Sequence, residues 1–360
     1  MPTRLPQLDG LRGVAILLVI LHNQSPMYPS LHLENLFANG WMGVDLFFVL
    51  SGFLITGILV DTKYSEGYFK NFYTRRCLRI WPLYYSLLFF MFVVVPFVHP
   101  SVGQTVFDRS SPWWAYPLFL QNFLVPPPAV GALSFTWSLA IEEQFYLVWP
   151  WVVRYCSSAQ VRRIAIVVIG VSPVLRLLLS FGHVDLYRNV FCRLDGLMAG
   201  ALLALLVRSD SFVPSRYVRR AWLVFLVAVP LAFVTEALQA RWIVFSLSAL
   251  ASAALVYLSL YAGQAGLQRA LTNRFMVYTG TISYGLYLLH GIPFNMAQAL
   301  QLDRYPLLAA PMLLVVCYGM AVVSWHLLEK PFLRLKRHFE SKVIGPNPRP
   351  GRLVARGVNQ

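Results

Sequence analysis

Apolar residues in this chain gather in long runs of about 20, the length that crosses the hydrocarbon core of a bilayer as a helix. The clear runs occupy positions 80–98, 135–153, 164–179, 190–207, 221–234, 242–262, 277–300 and 307–328, and two more precede them at 11–27 and 41–60. The pattern predicts an all-α fold, a polytopic membrane helix bundle of about ten transmembrane helices. One further apolar stretch, 115–125, is too short to span. We read it as part of a re-entrant or interfacial external loop, rich in Trp113, Trp114 and Pro126–Pro128.

The polar positions between the runs test this layout. With the N-terminus inside, 24 of the 30 Lys and Arg fall in inner segments, and only Arg109, Arg188, Arg241 and Arg304 fall outside. That bias is the positive-inside pattern, and it predicts cytoplasmic N- and C-termini. Were 115–125 a span, every later loop would change sides and the bias would collapse. The first run starts with basic residues, as a signal peptide does. The sequence after it, His22-Asn23-Gln24-Ser25-Pro26, lacks a small-x-small cleavage pattern, so a retained helix is expected.

Composition then narrows the class. Only 12% of residues are charged and 58% are hydrophobic, too few charges to clothe a soluble body. The net charge of +15 therefore has no soluble domain on which to form a nucleic-acid patch, and no nucleic-acid partner is expected. Cys77, Cys156, Cys192 and Cys317 are scattered, with neither zinc-site nor disulfide-framework spacing. No nucleophile motif, phosphate-cradling glycine loop or metal-ligand spacing is visible, so metal-free chemistry is expected.

Ionisable residues inside the apolar runs each cost at least about 2.5–3.5 kcal/mol to insert, which makes each a candidate for function or for helix pairing. They are His22, Asp45, Glu142, Glu143, Arg176, Arg193, Asp195, His290, His326 and Glu329, with Arg12 at the inner end of the first run. Arg193 and Asp195, two positions apart, face different sides and are expected to pair with other helices. Gly196 and Gly200 form a small-xxx-small seam for close helix packing.

The local settings of these residues carry a resemblance. Arg12 and His22 stand ten apart in Leu8-Asp9-Gly10-Leu11-Arg12-Gly13…His22, followed by Gly43-Val44-Asp45-Leu46-Phe47-Phe48-Val49-Leu50-Ser51-Gly52-Phe53-Leu54-Ile55-Thr56. Next come Arg75-Arg76-Cys77-Leu78-Arg79-Ile80-Trp81-Pro82 and Trp137-Ser138-Leu139-Ala140-Ile141-Glu142-Glu143-Gln144-Phe145-Tyr146. The last blocks are Arg193-Leu194-Asp195-Gly196, Ser283-Tyr284-Gly285-Leu286-Tyr287-Leu288-Leu289-His290 and Glu329-Lys330-Pro331-Phe332. In order and spacing they resemble the acyltransferase-3 family of bacterial membrane O-acyltransferases, from Gln7 to about Leu333. The resemblance makes residues 1–333 a membrane acyltransferase domain in the membrane-only form, with 334–360 as a basic cytoplasmic tail. It places the protein in the bacterial cytoplasmic membrane, among lipids and polysaccharide-biosynthesis proteins.

It also implies transfer of an acyl group, commonly acetyl, from cytoplasmic acetyl-CoA or another short acyl-CoA to a hydroxyl of a glycan or lipid-linked sugar. The residues it marks are Arg12 and His22, Asp45, Arg76 and Arg79, and Glu329. Ten residues of helix rise about 15 Å and leave His22 about 80° around from Arg12, so the two cannot touch. That spacing suits a long donor lying along the helix. Its phosphates would meet Arg12, Arg76 and Arg79, which can offer forked donors. His22 is then the candidate general base, with Asp45 to orient it and Glu329 as a further catalytic group. Glu142 and Tyr146, one turn apart beside Trp137 and Ser138, could hold a sugar or clamp two helices. His290 could line the acceptor path. Two rival classes are a multi-helix transporter and a transmembrane acyl relay serving a separate transferase.

Overall fold

The computed structural model describes residues 5–24, 37–108, 111–124, 133–182 and 184–339, and among them every regular element is helical. Arg109, Pro126–Pro128 and the tail beyond residue 339 lie outside this set. The helices are α1 (Pro6–Gln24), α2 (Met42–Asp61), α3 (Tyr68–Val98), α4 (Pro100–Asp108), α5 (Trp137–Tyr155), α6 (Ser158–Leu179) and α7 (Leu194–Leu206). They continue with α8 (Pro214–Ala237), α9 (Arg241–Tyr261), α10 (Ala265–Thr272), α11 (Arg274–Thr281), α12 (Ser283–Leu289), α13 (Gly291–Ala299) and α14 (Leu307–Leu335).

Five of them, α2, α3, α8, α9 and α14, are long and apolar enough to cross a membrane. Helices α1, α5 and α6 have comparable length but carry charged side chains: Arg12, the Glu142–Glu143 pair, and Arg162, Arg163 and Arg176. Two expected spans differ from a continuous helix. The 190–207 run yields a 3₁₀ turn and then α7, whose 13 residues rise only about 20 Å against a core of about 30 Å. The 277–300 run is broken into α11, α12 and α13. The last break precedes Pro293, which supplies no backbone donor and crowds the turn before it.

The bundle centre is packed through glycine. A Cβ on Gly200 of α7 would collide with the α2 backbone at Val49 and Phe53, and one on Gly52 of α2 with the α7 backbone at Leu197. Helices α1 and α11 meet in the same way where Gly280 lies against the backbone of Asp9 and Gly13. Small residues let backbones approach where lipid supplies no hydrophobic drive.

Residues 111–124 form turns and one 3₁₀ turn, with no spanning helix. Helices supply the hydrogen bonds this irregular backbone lacks. Tyr84 donates to the Tyr116 carbonyl (2.9 Å), Tyr85 to that of Pro117 (3.0 Å) and Gln144 to that of Phe119 (2.7 Å). Non-helical backbone survives at membrane depth only when it is satisfied by protein in this way.

Candidate functional site

A cavity of about 330 Å³ opens between α1, α2, α3, α5 and α12. Its α2 wall runs from Thr62, just past the end of the helix, to Val44, a rise of about 27 Å. Cations crowd one end: Arg12 from α1, Arg75, Arg76 and Arg79 from α3, and Lys336 from the 3₁₀ turn Lys336–Phe339 that follows α14. The three α3 arginines share a face because positions three and four apart are neighbours on a helix. Arg12 is steadied by Asp9 one turn before it (3.1 Å). Burial, and then the charges of Arg79, Arg76, Arg75 and Arg12, push the Lys336 ammonium down to about 6 from the ordinary lysine value.

Deeper in, apolar side chains such as Leu54, Leu50 and Phe47 alternate with hydroxyls, and Glu142 carries the charge. Ser51 donates to the Tyr146 hydroxyl (2.5 Å), which donates to Glu142 Oε2 (3.2 Å). The Arg76 guanidinium lies 5.6 Å above the Tyr146 ring, so the cationic end and the hydroxyl chain are joined. On the far wall Tyr287 donates to the Phe135 carbonyl (2.8 Å) and accepts from Ser138 (2.6 Å), while Tyr284 donates to the Ile80 carbonyl (2.6 Å). These bonds set the rotamers of the aromatic side chains that line the space.

The structure thus brings Arg12, Arg76, Arg79, Glu142 and Tyr146 to one cavity. Other expected site residues stand elsewhere. His22 is outside the lining, against Gly40 just before α2, with its Nδ1 on the Phe37 carbonyl (2.8 Å). A carbonyl only accepts, so Nδ1 carries the proton and the lone pair of the neutral ring sits on Nε2. Asp45 pairs with another helix: its Oδ1 accepts from Arg193 Nη2 at 2.6 Å. Trp137 is not part of the cavity wall. Its ring packs on Tyr187 and Phe48, and the Arg193 guanidinium lies 5.8 Å from its centre.

His290 is also outside the cavity lining. It is fully buried, with Nδ1 bonded to the Tyr287 carbonyl (2.6 Å) and Nε2 to Asn23 Nδ2 (3.2 Å). Glu329 is buried in a π-helical turn, Trp325–Glu329, where it accepts from Ser324 (3.2 Å). A π turn of this kind often marks a functional position.

Arg193 and Asp195 pair with other helices, as their spacing predicts. Arg176 of α6 donates to Asp195 (2.9 Å), to Ser246 (2.5 Å), and to the carbonyls of Trp242 (2.8 Å) and Cys192. The sequence reading passed over Arg75, Ser51, Tyr284, Tyr287 and Lys336 as parts of the site. Arg75 and Lys336 sat among residues read as topology signals, and a serine or tyrosine in an apolar run carries no charge to draw attention.

Comparison with known proteins now bears on this geometry. No solved structure matches the chain. The peptidoglycan O-acetyltransferase OatA of Listeria monocytogenes is 37% identical over 158 positions, covering 40% of this chain and 23% of that protein. The putative peptidoglycan O-acetyltransferase YrhL of Bacillus subtilis is 31% identical over 360 positions, covering 91% of this chain and 54% of its own length. The putative O-acetyltransferase SACOL0978 of Staphylococcus aureus is 27% identical over 359 positions, with 91% and 57% covered. The chain therefore spans about half the length of the relatives that it matches from end to end. The acyltransferase-3 pattern, described as an acyltransferase domain, matches residues 5–328, and the chain belongs to that family of acyltransferases.

Proposed function

We propose that this protein is a membrane-embedded O-acetyltransferase that takes an acetyl group from cytoplasmic acetyl-CoA and places it on a glycan hydroxyl. The observation that carries the reading is the convergence of four arginines and a lysine on one end of a long cavity. Phosphates of an acyl-CoA suit that end, because guanidinium forks match phosphate oxygens. Past the cations the apolar side chains of Leu54, Leu50 and Phe47 suit a neutral pantetheine arm. The named relatives make a peptidoglycan hydroxyl the first acceptor to try.

Ten crossings with both ends cytoplasmic would put the cationic end on the donor's side of a bacterial inner membrane. His22 stands about one helical turn beyond Val44, the outermost α2 residue of the cavity, because Gly40 precedes Val44 by four positions. In the reaction the acceptor oxygen bonds to the thioester carbon as His22 Nε2 takes its proton, the C–S bond breaks with its electron pair on sulfur, and the proton returns from His22 to the coenzyme A thiolate that leaves. Glu142 and Tyr146 position the acyl end, and Glu329, bonded to Ser324, acts from the Arg79 side.

The test is acetyl transfer from labelled acetyl-CoA to a peptidoglycan fragment by the purified protein in vesicles. His22→Ala is expected to lower the rate about 10²–10⁴-fold, the range of general-base catalysis. Arg76→Ala/Arg79→Ala is expected to raise the KM for acetyl-CoA more than it lowers kcat. Unaltered donor affinity in that double variant would remove the donor from this cavity.

A further inference from the structure

Among the basic residues around the end of α14, one is set apart by its position. Lys330 and Arg334 on α14, and His338 four residues after Arg334, are exposed. Lys336 is half-buried and enters the cavity wall. It sits on the short turn Lys336–Phe339, which packs against α3, the helix that carries Arg75, Arg76 and Arg79. The other cavity cations come from α1 and α3, so Lys336 alone of the lining cations approaches from the end of α14.

This placement is costly without an anion. Five cationic side chains share the wall with one carboxylate, Glu142, while Asp9 is the partner of Arg12. Protonating all five sets like charges against one another, although exposed positions lie two residues to either side at Arg334 and His338. The arrangement gains by holding something multiply anionic between the arginines and the lysine.

We infer that Lys336 is a further donor-binding residue, closing the cavity mouth over a phosphate group of the acyl donor. The inference rests on the reading that the donor is an acyl-CoA, and it adds a contact from the C-terminal side of the bundle. One consequence separates it from a merely structural role. The groups facing Lys336 are Arg75, Arg76 and Arg79 from α3 and Arg12 from α1, with Glu142 of α5 across the cavity. With these neighbours the free protein disfavours the ammonium, down to about 6. A bound phosphate reverses that preference, so donor binding takes up a proton at Lys336.

Above about pH 7.5 the donor phosphates are already fully ionised, so they do not mask this uptake. The sign is fixed: from about pH 7.5 to 8.5 donor affinity falls as pH rises, because a proton is taken up on binding.

The experiment is calorimetric titration of the purified, reconstituted protein with coenzyme A at pH 8 in two buffers of different ionisation enthalpy. Wild type is expected to take up a substantial fraction of one proton per coenzyme A bound. Lys336→Ala is expected to bind about tenfold more weakly and Lys336→Arg within about threefold of wild type, because a charged hydrogen bond is lost in one and kept in the other. Both variants are expected to lose the uptake, and Arg334→Ala to behave as wild type. Coenzyme A affinity and proton uptake in Lys336→Ala equal to wild type would overturn the inference. Absence of binding to wild type would instead overturn the donor reading beneath it.

Discussion

At the scale of single residues, Asp45 shows most clearly what a structure adds to a sequence. It looks catalytic in sequence, yet its carboxylate meets Arg193 across 148 positions of chain, a pairing that one sequence cannot reveal. The Arg193 guanidinium lies over Phe245 (4.0 Å) and within 5.8 Å of the ring centres of Tyr187, Phe48 and Trp137. Its Nε and Nη1, and Asp45 Oδ2, have no hydrogen-bond partner among the described residues. Aromatic faces take the place of the missing bonds to the guanidinium, and Arg193 is the charge nearest to the Asp45 carboxylate. Removing one partner leaves a buried charge and is expected to cost about 3–5 kcal/mol. We expect Asp45→Ala and Arg193→Ala each to lower the thermal midpoint of the detergent-solubilised protein. The double variant should fall no further than the worse single one, because the pair is lost once. If Asp45→Ala abolished activity while leaving the midpoint and the Arg193→Ala effect untouched, Asp45 would return to the catalytic centre. What was legible in the sequence at this scale was which residues are expensive to bury. Which partner each one takes was not.

At the scale of elements, apolar runs located the helices well but hid their breaks. In the 277–300 run the chain stays apolar through positions where the helix stops, so no hydropathy step marks α11, α12 and α13. The glycine seams were more readable. Gly196 and Gly200 were expected to allow close packing, and α7 does lie directly on α2, the helix whose Ser51, Leu54 and Ile55 line the cavity. A Cβ at Gly200 would press on backbone atoms, which cannot rotate aside. Gly200→Ala is therefore expected to lower stability and to weaken coenzyme A binding together, as α2 is pushed away. Gly170→Ala in α6 is the matched control. Nothing lies within 4 Å of its added Cβ, and alanine favours a helix by about 0.5–1 kcal/mol over glycine. The two variants differ by one methyl group each. A Gly200→Ala protein as stable as Gly170→Ala would show that the seam has slack.

At the scale of the whole molecule, charge and packing supply different halves of one answer. The structure shows which loops share an end of the bundle. Lys63 donates to the Cys156 carbonyl (2.5 Å) and Arg154 to that of Lys63 (2.6 Å), while Arg208 grips Asp61 with two bonds of 2.8 and 2.7 Å. Two basic segments that the sequence assigned to the inner side, around Arg154 and Arg208, therefore both touch a third, around Lys63. Asn122 bonds the Arg188 carbonyl (3.4 Å), which joins two segments assigned to the outer side. Packing is indifferent to which end faces the cytoplasm, and only the excess of Lys and Arg decides it. The cationic mouth of the cavity shares the end of Lys63, since Thr62 lines it. Orientation is thus tied to donor access: a cytoplasmic acyl-CoA reaches the arginines only if that end is inside. Exposed Glu66 and Asp185 report the two ends. In a background with Cys77 and Cys156 replaced by serine, a membrane-impermeant maleimide is expected to label Asp185→Cys in intact cells. Glu66→Cys should react only after permeabilisation. The reverse pattern would place the arginine cluster outside, beyond reach of a cytoplasmic donor, and the positive charge would need another purpose.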